Sequence, residues 1–281
     1  MPEGDTIFRA ARTLHRALAG QIVTGFESVL PKLMRVDCDS GIAGRAIEKV
    51  EAQGKWMRIH FSRDLILLTH MLMSGSWHIY RPGERWQRRT ADMRLVIKTE
   101  RFWAVAFNVP IAEFHTSDTI RRRKSLRNLG QDVLAEHFDP AKSVSSLLSN
   151  THMEVGVALL TQSNISGLGN VFKSEICFAS RVNPFRRIEM LTPREANSLV
   201  TTAREFMIAN VRETSGHARV TYRGFGRRAI SHGAESLWVY GRRGKPCREC
   251  GEAIESRRQR DARITFWCPH CQPLTPNAQC I

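Results

Sequence analysis

Four cysteines near the end of the 281-residue chain, Cys247, Cys250, Cys268 and Cys271, are spaced C-x2-C, seventeen residues, C-x2-C. No other feature limits so tightly what its segment can fold into. Two-residue spacing lets each thiolate pair face one metal from a tight knuckle, and a hairpin brings the second pair to the first, so the pattern predicts a tetrahedral four-sulfur zinc site. Four unrelated buried thiols would not repeat the spacing in a segment otherwise poor in core residues. The predicted unit is a zinc-ribbon hairpin over residues 237–273, followed by a tail, 274–281. So small a module cannot hold together by burial alone, and metal binding supplies most of its folding free energy. With all four positions filled by cysteine the metal is structural and cannot activate water. The function of the hairpin then falls to its cations: Arg257, Arg258, Arg260 and Arg263 lie between the knuckles, and Arg242, Arg243 and Lys245 precede them. Cys177 sits in a helical pattern as a small core residue, and Cys38 and Cys280 have no assigned role.

The chain carries 42 Lys and Arg against 27 Asp and Glu, a net charge of +15. A hydrophobic content of 42% with 8% aromatics excludes a disordered polybasic tail. Charge of this size favours polyanionic partners, nucleic acid before anionic membrane. A merely well-solvated basic surface is the alternative, and charge alone separates the two only modestly. The longest apolar runs, such as 65–68, fall far short of the roughly 20 residues of a membrane helix, so no membrane association is expected. Arg9, Arg12 and Arg16 interrupt any secretory h-region, and Glu3 and Asp5 argue against an organellar presequence. The expectation is a reducing cytoplasm, where the cysteines are thiols and metal ligands.

The periodicities predict an α+β protein of several domains. Ile7, Ala11, Leu14 and Leu18 recur at helical spacing after Asp5 as N-cap, and Gly20 ends the helix. Short alternating or β-branched runs follow at 21–29, 46–52, 56–61, 65–71, 76–80, 94–98 and 103–107. They read as a β-sandwich or barrel that closes an N-terminal domain at residue 116. Residues 117–139 form a charged linker with Arg121, Arg122, Arg123 and Lys124 in sequence. From 140 to 236 the strong segments are helical: 140–149, 154–162, 170–181, and a long helix to about 214 that opens with Thr192, Pro193 and Glu195 as a capping box. Residues 216–233, rich in Arg and Gly, form a long polar segment of a kind that is usually functional.

Between two of these helices lies Ile165-Ser166-Gly167-Leu168-Gly169-Asn170. Gly167 and Gly169 let backbone approach a phosphate, the N–H groups opening the next helix donate to it, and Asn170 adds a side-chain donor. Such a turn is more often only a turn, and the basic, metal-stapled context is what gives this one weight.

Several motifs occur in one order: Met1-Pro2-Glu3-Gly4-Asp5, Gln53-Gly54-Lys55 before a strand, Gly167-Leu168-Gly169-Asn170, and a cysteine module ending Phe266-Trp267-Cys268-Pro269-His270-Cys271-Gln272. Together they resemble the formamidopyrimidine-DNA glycosylase and endonuclease VIII family of DNA repair enzymes, over essentially the whole chain. The resemblance implies an N-terminal helix and β-sandwich, a helix-two-turn-helix domain and a zinc hairpin. It implies a bifunctional glycosylase and abasic-site lyase acting on duplex DNA with oxidised or abasic sites, as a monomer associated with a prokaryotic nucleoid. Pro2, freed of Met1, would be a secondary amine that attacks the anomeric carbon and forms an iminium, and Glu3 would protonate the sugar ring oxygen. Lys55, Asn170 and Arg263 correspond to residues that hold phosphates around an extruded nucleotide. His70-Met71-Leu72-Met73-Ser74-Gly75 matches a loop that inserts an apolar wedge, with Met73 the candidate and His70 beside it. The formamidopyrimidine branch starts Met-Pro-Glu-Leu-Pro and carries an Arg-Arg-Phe-Gly wedge, whereas this chain has Gly4-Asp5 and Asn108-Val109-Pro110. Both differences tilt toward endonuclease VIII and oxidised pyrimidines. The wedge loop lacks that branch's Gln-Leu-Tyr triplet, which leaves base preference open, and residues 216–233 fall where lesions are sensed. Two other classes use the same features: a non-catalytic binder of damaged DNA, against which Pro2, Glu3 and Lys55 speak, and a zinc-ribbon RNA-binding protein, which leaves the N-terminal motif unexplained.

Overall fold

Ile7, Ala11, Leu14 and Leu18 form the buried stripe of helix α1, Gly4–Leu18. Asp5 is not its N-cap, as the sequence reading had it. Glu3 holds that position in extended backbone, and Asp5 lies inside the first turn, buried, 3.4 Å from Arg9 Nη2. A carboxylate there meets the positive end of the helix dipole without capping a backbone N–H. Gly20, at φ +79°, turns the chain out of the helix.

The computed structural model describes residues 2–212, 237–259 and 263–274, and the chain divides into two units at Asn128/Leu129. In the first unit, β1 (Val23–Ser28) is followed by α2 (Pro31–Ser40), β2 (Ile47–Gln53), β3 (Trp56–Phe61), β4 (Leu65–His70) and β5 (Ser76–Tyr80). Next come β6 (Met93–Thr99), β7 (Trp103–Phe107), β8 (Ile111–His115), α3 (Ser117–Arg122) and α4 (Lys124–Arg127). Two antiparallel four-stranded sheets, ordered β1-β6-β7-β5 and β2-β3-β4-β8, make the sandwich. Period-two alternation sends Met57, Ile59 and Phe61 of β3 inward, and they share one core with Leu67, Leu95, Ile97, Ala104, Ala106 and the stripe of α1.

Five elements were not anticipated. Helix α2 buries only Leu33, too little for its apolar spacing to stand out among neighbouring strand-like runs. β8 pairs with β4 from Ile66/His115 to His70/Ile111. The charged stretch 117–139 is no plain linker: it contains α3, α4 and a two-residue strand β9 (Gln131–Asp132), and Thr116 with Thr119 forms a capping box on α3.

The second unit continues with α5 (Pro140–Leu148), α6 (Val155–Leu160), β10 (Ile165–Ser166), α7 (Asn170–Ala179) and α8 (Pro193–Arg212). Asp139 caps α5 through Ala141 N and Lys142 N. The predicted box on α8 is present: Glu195 N donates to Thr192 Oγ1 at 3.2 Å, and Thr192 N donates to Glu195 Oε2 at 2.8 Å. Every residue of α7 from Asn170 to Phe178 is buried, as expected of a helix enclosed on all sides. Antiparallel β11 (Glu255–Arg258) and β12 (Ile264–Trp267) form the C-terminal hairpin. Residues 216–233, the expected lesion-sensing segment, lie outside the described residues, as do Met1, Arg260 and Cys280.

Candidate nucleic-acid interface

In the first unit, Pro2 is half-buried and Glu3 is enclosed at 2% exposure. Glu3 O accepts the N–H of Ile7, which fixes the dipeptide to the first turn of α1. A hairpin turn at Gly54, φ +58°, delivers Lys55 to the start of β3. Next to it, Trp56 pairs with His70 of β4, with ring centroids 4.7 Å apart. Burial, with the charge of Lys55 nearby, pushes the His70 imidazole down to about 4. The neutral ring accepts the Leu72 N–H at Nδ1, 3.0 Å away, which leaves the proton on Nε2.

That bond opens a tight turn over 71–75. Leu72 takes φ +47°, and Gly75 N donates to Met71 O at 2.9 Å. A Cβ on Gly75 would lie 2.6 Å from Met71 O, so only glycine closes the turn. Met71 is buried, whereas Leu72 is 45% and Met73 69% exposed. The sequence reading singled out Met73; the structure exposes Leu72 beside it, and two consecutive apolar residues before a Ser-Gly pair were the available signal.

The depressed His70 gives a signed expectation. Between about pH 6.5 and 4 the unfolded chain takes up a proton that the folded ring refuses, so stability falls as pH falls through that window. Thermal unfolding of His70→Gln should lose less on going from pH 7 to pH 4 than the parent does. Since His78, also lowered by burial, is common to both, parallel profiles would refute the assignment to His70.

In the second unit, Cys247 Sγ lies 3.9 Å from Cys271 Sγ, and Cys250 Sγ lies 3.5 Å from Cys268 Sγ. All four sulfurs fall within 4.8 Å of one another. Tetrahedral zinc–thiolate bonds require sulfurs about 3.8 Å apart, so the donor set fits that metal. By contrast, Cys177 is buried in α7 with its thiol pushed up to about 12, an inert core residue.

The glycine turn ends at Gly169, the N-cap of α7, with Gly167 at φ +100° donating its N–H to Gln162 Oε1. Asn170 is not simply a donor awaiting phosphate. Its Nδ2 donates to Ile264 O at 2.9 Å, joining α7 to the strand that follows Arg263. The structure therefore makes Asn170 and the exposed Arg263 neighbours through one peptide. Further along α7, Glu175 accepts the N–H groups of Trp238, Val239 and Tyr240, which anchors the entry to the cysteine hairpin. Burial pushes this carboxyl up and the three N–H groups pull it down. Lys173 and Glu175 went unremarked in the sequence, although two charges inside an otherwise apolar helix are a readable sign of buried polar partners.

A β-sandwich behind an N-terminal helix, a helical unit with a glycine turn between α6 and α7, and a four-cysteine hairpin define a three-module DNA-glycosylase fold. The matches agree: residues 1–110 fit the formamidopyrimidine-DNA glycosylase N-terminal domain, 129–221 its H2TH domain, and 244–274 the zinc finger found in FPG and IleRS. The chain is 34% identical over 97% of its length, and 94% of the relative's, to a probable endonuclease 8 2 of Streptomyces coelicolor. It is 30% identical to the DNA-(apurinic or apyrimidinic site) lyase Nei2 of Mycolicibacterium smegmatis, over 97% of this chain and 99% of that one. Its fold superimposes on Lactococcus lactis formamidopyrimidine-DNA glycosylase, solved with abasic-site DNA, with TM-score 0.79 and 20% identity over 97% of this chain and 100% of that one. The protein belongs to the formamidopyrimidine-DNA glycosylase and endonuclease VIII family.

Proposed function

We propose that this protein is a DNA glycosylase and abasic-site lyase of base excision repair, acting on oxidised pyrimidines in duplex DNA. The observation that carries the reading is the Pro2-Glu3 dipeptide, with Glu3 enclosed at the head of α1, in a chain that aligns over 97% of its length with relatives named as endonuclease 8 and abasic-site lyase. With Met1 removed, the Pro2 nitrogen bonds to C1′ of the damaged nucleotide as the C1′–base bond breaks and the base leaves with a proton. Glu3 protonates the ring oxygen, the sugar opens, and an iminium remains. The iminium acidifies C2′. Loss of that proton expels the 3′ phosphate, a second elimination expels the 5′ phosphate, and water then releases the sugar fragment from Pro2.

Lys55, Asn170 and Arg263 hold backbone phosphates, His70 and the turn of Gly167 and Gly169 support them, and Met73 with Leu72 fills the space left by the extruded base. One zinc ion on Cys247, Cys250, Cys268 and Cys271 holds the hairpin and takes no part in the chemistry. The pyrimidine preference is supported by Asn108-Val109-Pro110: Val109 is fully buried, so this segment offers no second wedge of the Arg-Arg-Phe-Gly kind. No helix among the described residues is long and apolar enough to cross a membrane, and we assign a monomer working in the cytoplasm of a bacterium, on the nucleoid.

The test is a panel of duplexes carrying 5-hydroxyuracil, thymine glycol, 8-oxoguanine or an abasic site, each incubated with enzyme and borohydride. Reduction should trap a covalent protein–DNA adduct on the pyrimidine lesions and the abasic site, with 8-oxoguanine the poorest substrate. Binding to the abasic duplex without adduct or nicking would defeat the enzymatic reading, and preference for 8-oxoguanine would defeat the pyrimidine assignment alone.

A further inference from the structure

We propose that Gln259 is a positioning residue for Arg263, fixing the root of the hairpin to the helical unit through Lys173 and a cradle at Gly156. The inference rests on the reading above that Arg263 engages a DNA phosphate. Gln259 ends the first arm of the hairpin, and its backbone N–H donates to Arg263 O at 3.0 Å. Its side chain is buried at 5% exposure. Oε1 accepts from Lys173 Nζ at 3.2 Å and from Thr265 Oγ1 at 2.6 Å. Nε2 donates to Glu154 Oε2 at 2.9 Å and to Pro184 O at 3.1 Å. Both donors and both lone pairs of the amide are therefore engaged. Lys173, itself at 0% exposure, also donates to Thr265 Oγ1 at 2.5 Å, so one ammonium ties the two arms of the hairpin together.

Asn170 and Lys173 are one turn apart on α7 and face the same way. Asn170 grips β12 at Ile264, and Lys173 grips Gln259 and Thr265. Gln259 on one arm and Ile264 and Thr265 on the other are thus referenced to one rigid helix, and Arg263 immediately precedes Ile264. Gly156 of α6 supplies the space. A Cβ there would meet Gln259 Oε1 at 2.6 Å and Nε2 at 3.0 Å, and the amide cannot swing away without breaking its four bonds. An exposed arginine on a flexible hairpin loses side-chain and backbone freedom on binding phosphate, whereas one on an anchored root has already lost part of it. The network accordingly acts on DNA through Arg263 without touching DNA.

The experiment compares Gln259→Leu, Gly156→Ala and Arg263→Ala, singly and with each of the first two combined with the third, in equilibrium binding to an abasic duplex across a salt series. Zinc content and thermal unfolding are measured in parallel. Arg263→Ala should weaken binding about tenfold or more and lower the slope of log affinity on log salt by about 0.9, one phosphate's counterions. Gln259→Leu and Gly156→Ala should reproduce part of both effects at full zinc content, and each double variant should bind no worse than Arg263→Ala alone. Full salt slope in both first variants, or effects that add to that of Arg263→Ala, would overturn the proposal. No change in Arg263→Ala itself would instead overturn the phosphate role on which it rests. Should Gln259→Leu fail to fold, the exchanged pair Glu154→Gln with Gln259→Glu, which restores the donor between residues 154 and 259 but not the one to Pro184 O, should recover part of the affinity that Gln259→Glu alone loses. Absence of that recovery also refutes the network.

Discussion

A form of the protein that retains Met1 is expected to give no borohydride-stable adduct with an abasic duplex, while Glu3→Gln keeps the adduct and loses base excision. The first result follows from amide chemistry. A free N-terminal proline is a secondary amine, and α-amino groups have reference values near ~7.7–8.0, so a useful fraction is unprotonated at neutral pH. Behind Met1 the same nitrogen is a planar amide whose lone pair is delocalised into the carbonyl, and it cannot attack carbon. The second result separates the two halves of the reaction. Expelling a base needs a proton for the ring oxygen, and loss of a positioned general acid costs ~10²–10⁴ in rate. An abasic sugar has already lost its base and opens spontaneously to the aldehyde, so strand cleavage there should fall far less. Glu3 is enclosed at the first turn of α1, and glutamine preserves its shape while removing the proton. Single-turnover rates on a thymine-glycol duplex and an abasic duplex, read side by side, make the comparison. Equal loss on both would remove Glu3 from the base-excision step.

Withdrawing the metal should produce the second large effect. Beyond its cysteines the hairpin module has a small apolar cluster, Val239 and Ile254 with Phe178 of α7, flanked by Trp238 and Phe266. That is too little burial to offset the conformational entropy of the segment. Apparent zinc affinities of such modules correspond to ~10–16 kcal/mol, so chelation or Cys250→Ser should unfold the hairpin. Affinity for abasic duplex should then fall on the order of a hundredfold and lose much of its salt dependence, because Arg263 and its neighbours no longer share an orientation. The first unit has its own core, and its amides should keep their exchange protection. Hydrogen exchange on the chelated protein checks both halves at once. A hairpin that stays protected without metal would show that burial suffices.

Met73 was legible as a candidate only through the resemblance of residues 70–75 to the family's wedge loop. That His70 shapes the turn through Leu72 N, and that Gly75 cannot carry a side chain, depends on the turn's backbone conformation, with Leu72 at φ +47° and Met71 O set against Gly75, which residue spacing does not specify. Helix α2 escaped for the opposite reason, since it buries a single residue and leaves little periodicity to read.

By itself the sequence determined the features that are local or chemically exclusive: the stripe of α1, the alternation of β3, the box on α8, the four-sulfur site and the order of motifs that marks the family. These follow from spacings of a few residues, which geometry converts directly into a face, a cap or a knuckle. Only the tertiary structure decided the long-range polar partnerships. Asn170 to Ile264, Lys173 to Gln259 and Glu175 to the 238–240 backbone span between 63 and 94 residues of chain. Hydrogen bonds are satisfied by whichever donor the fold presents within about 3 Å, so no spacing in the sequence encodes them.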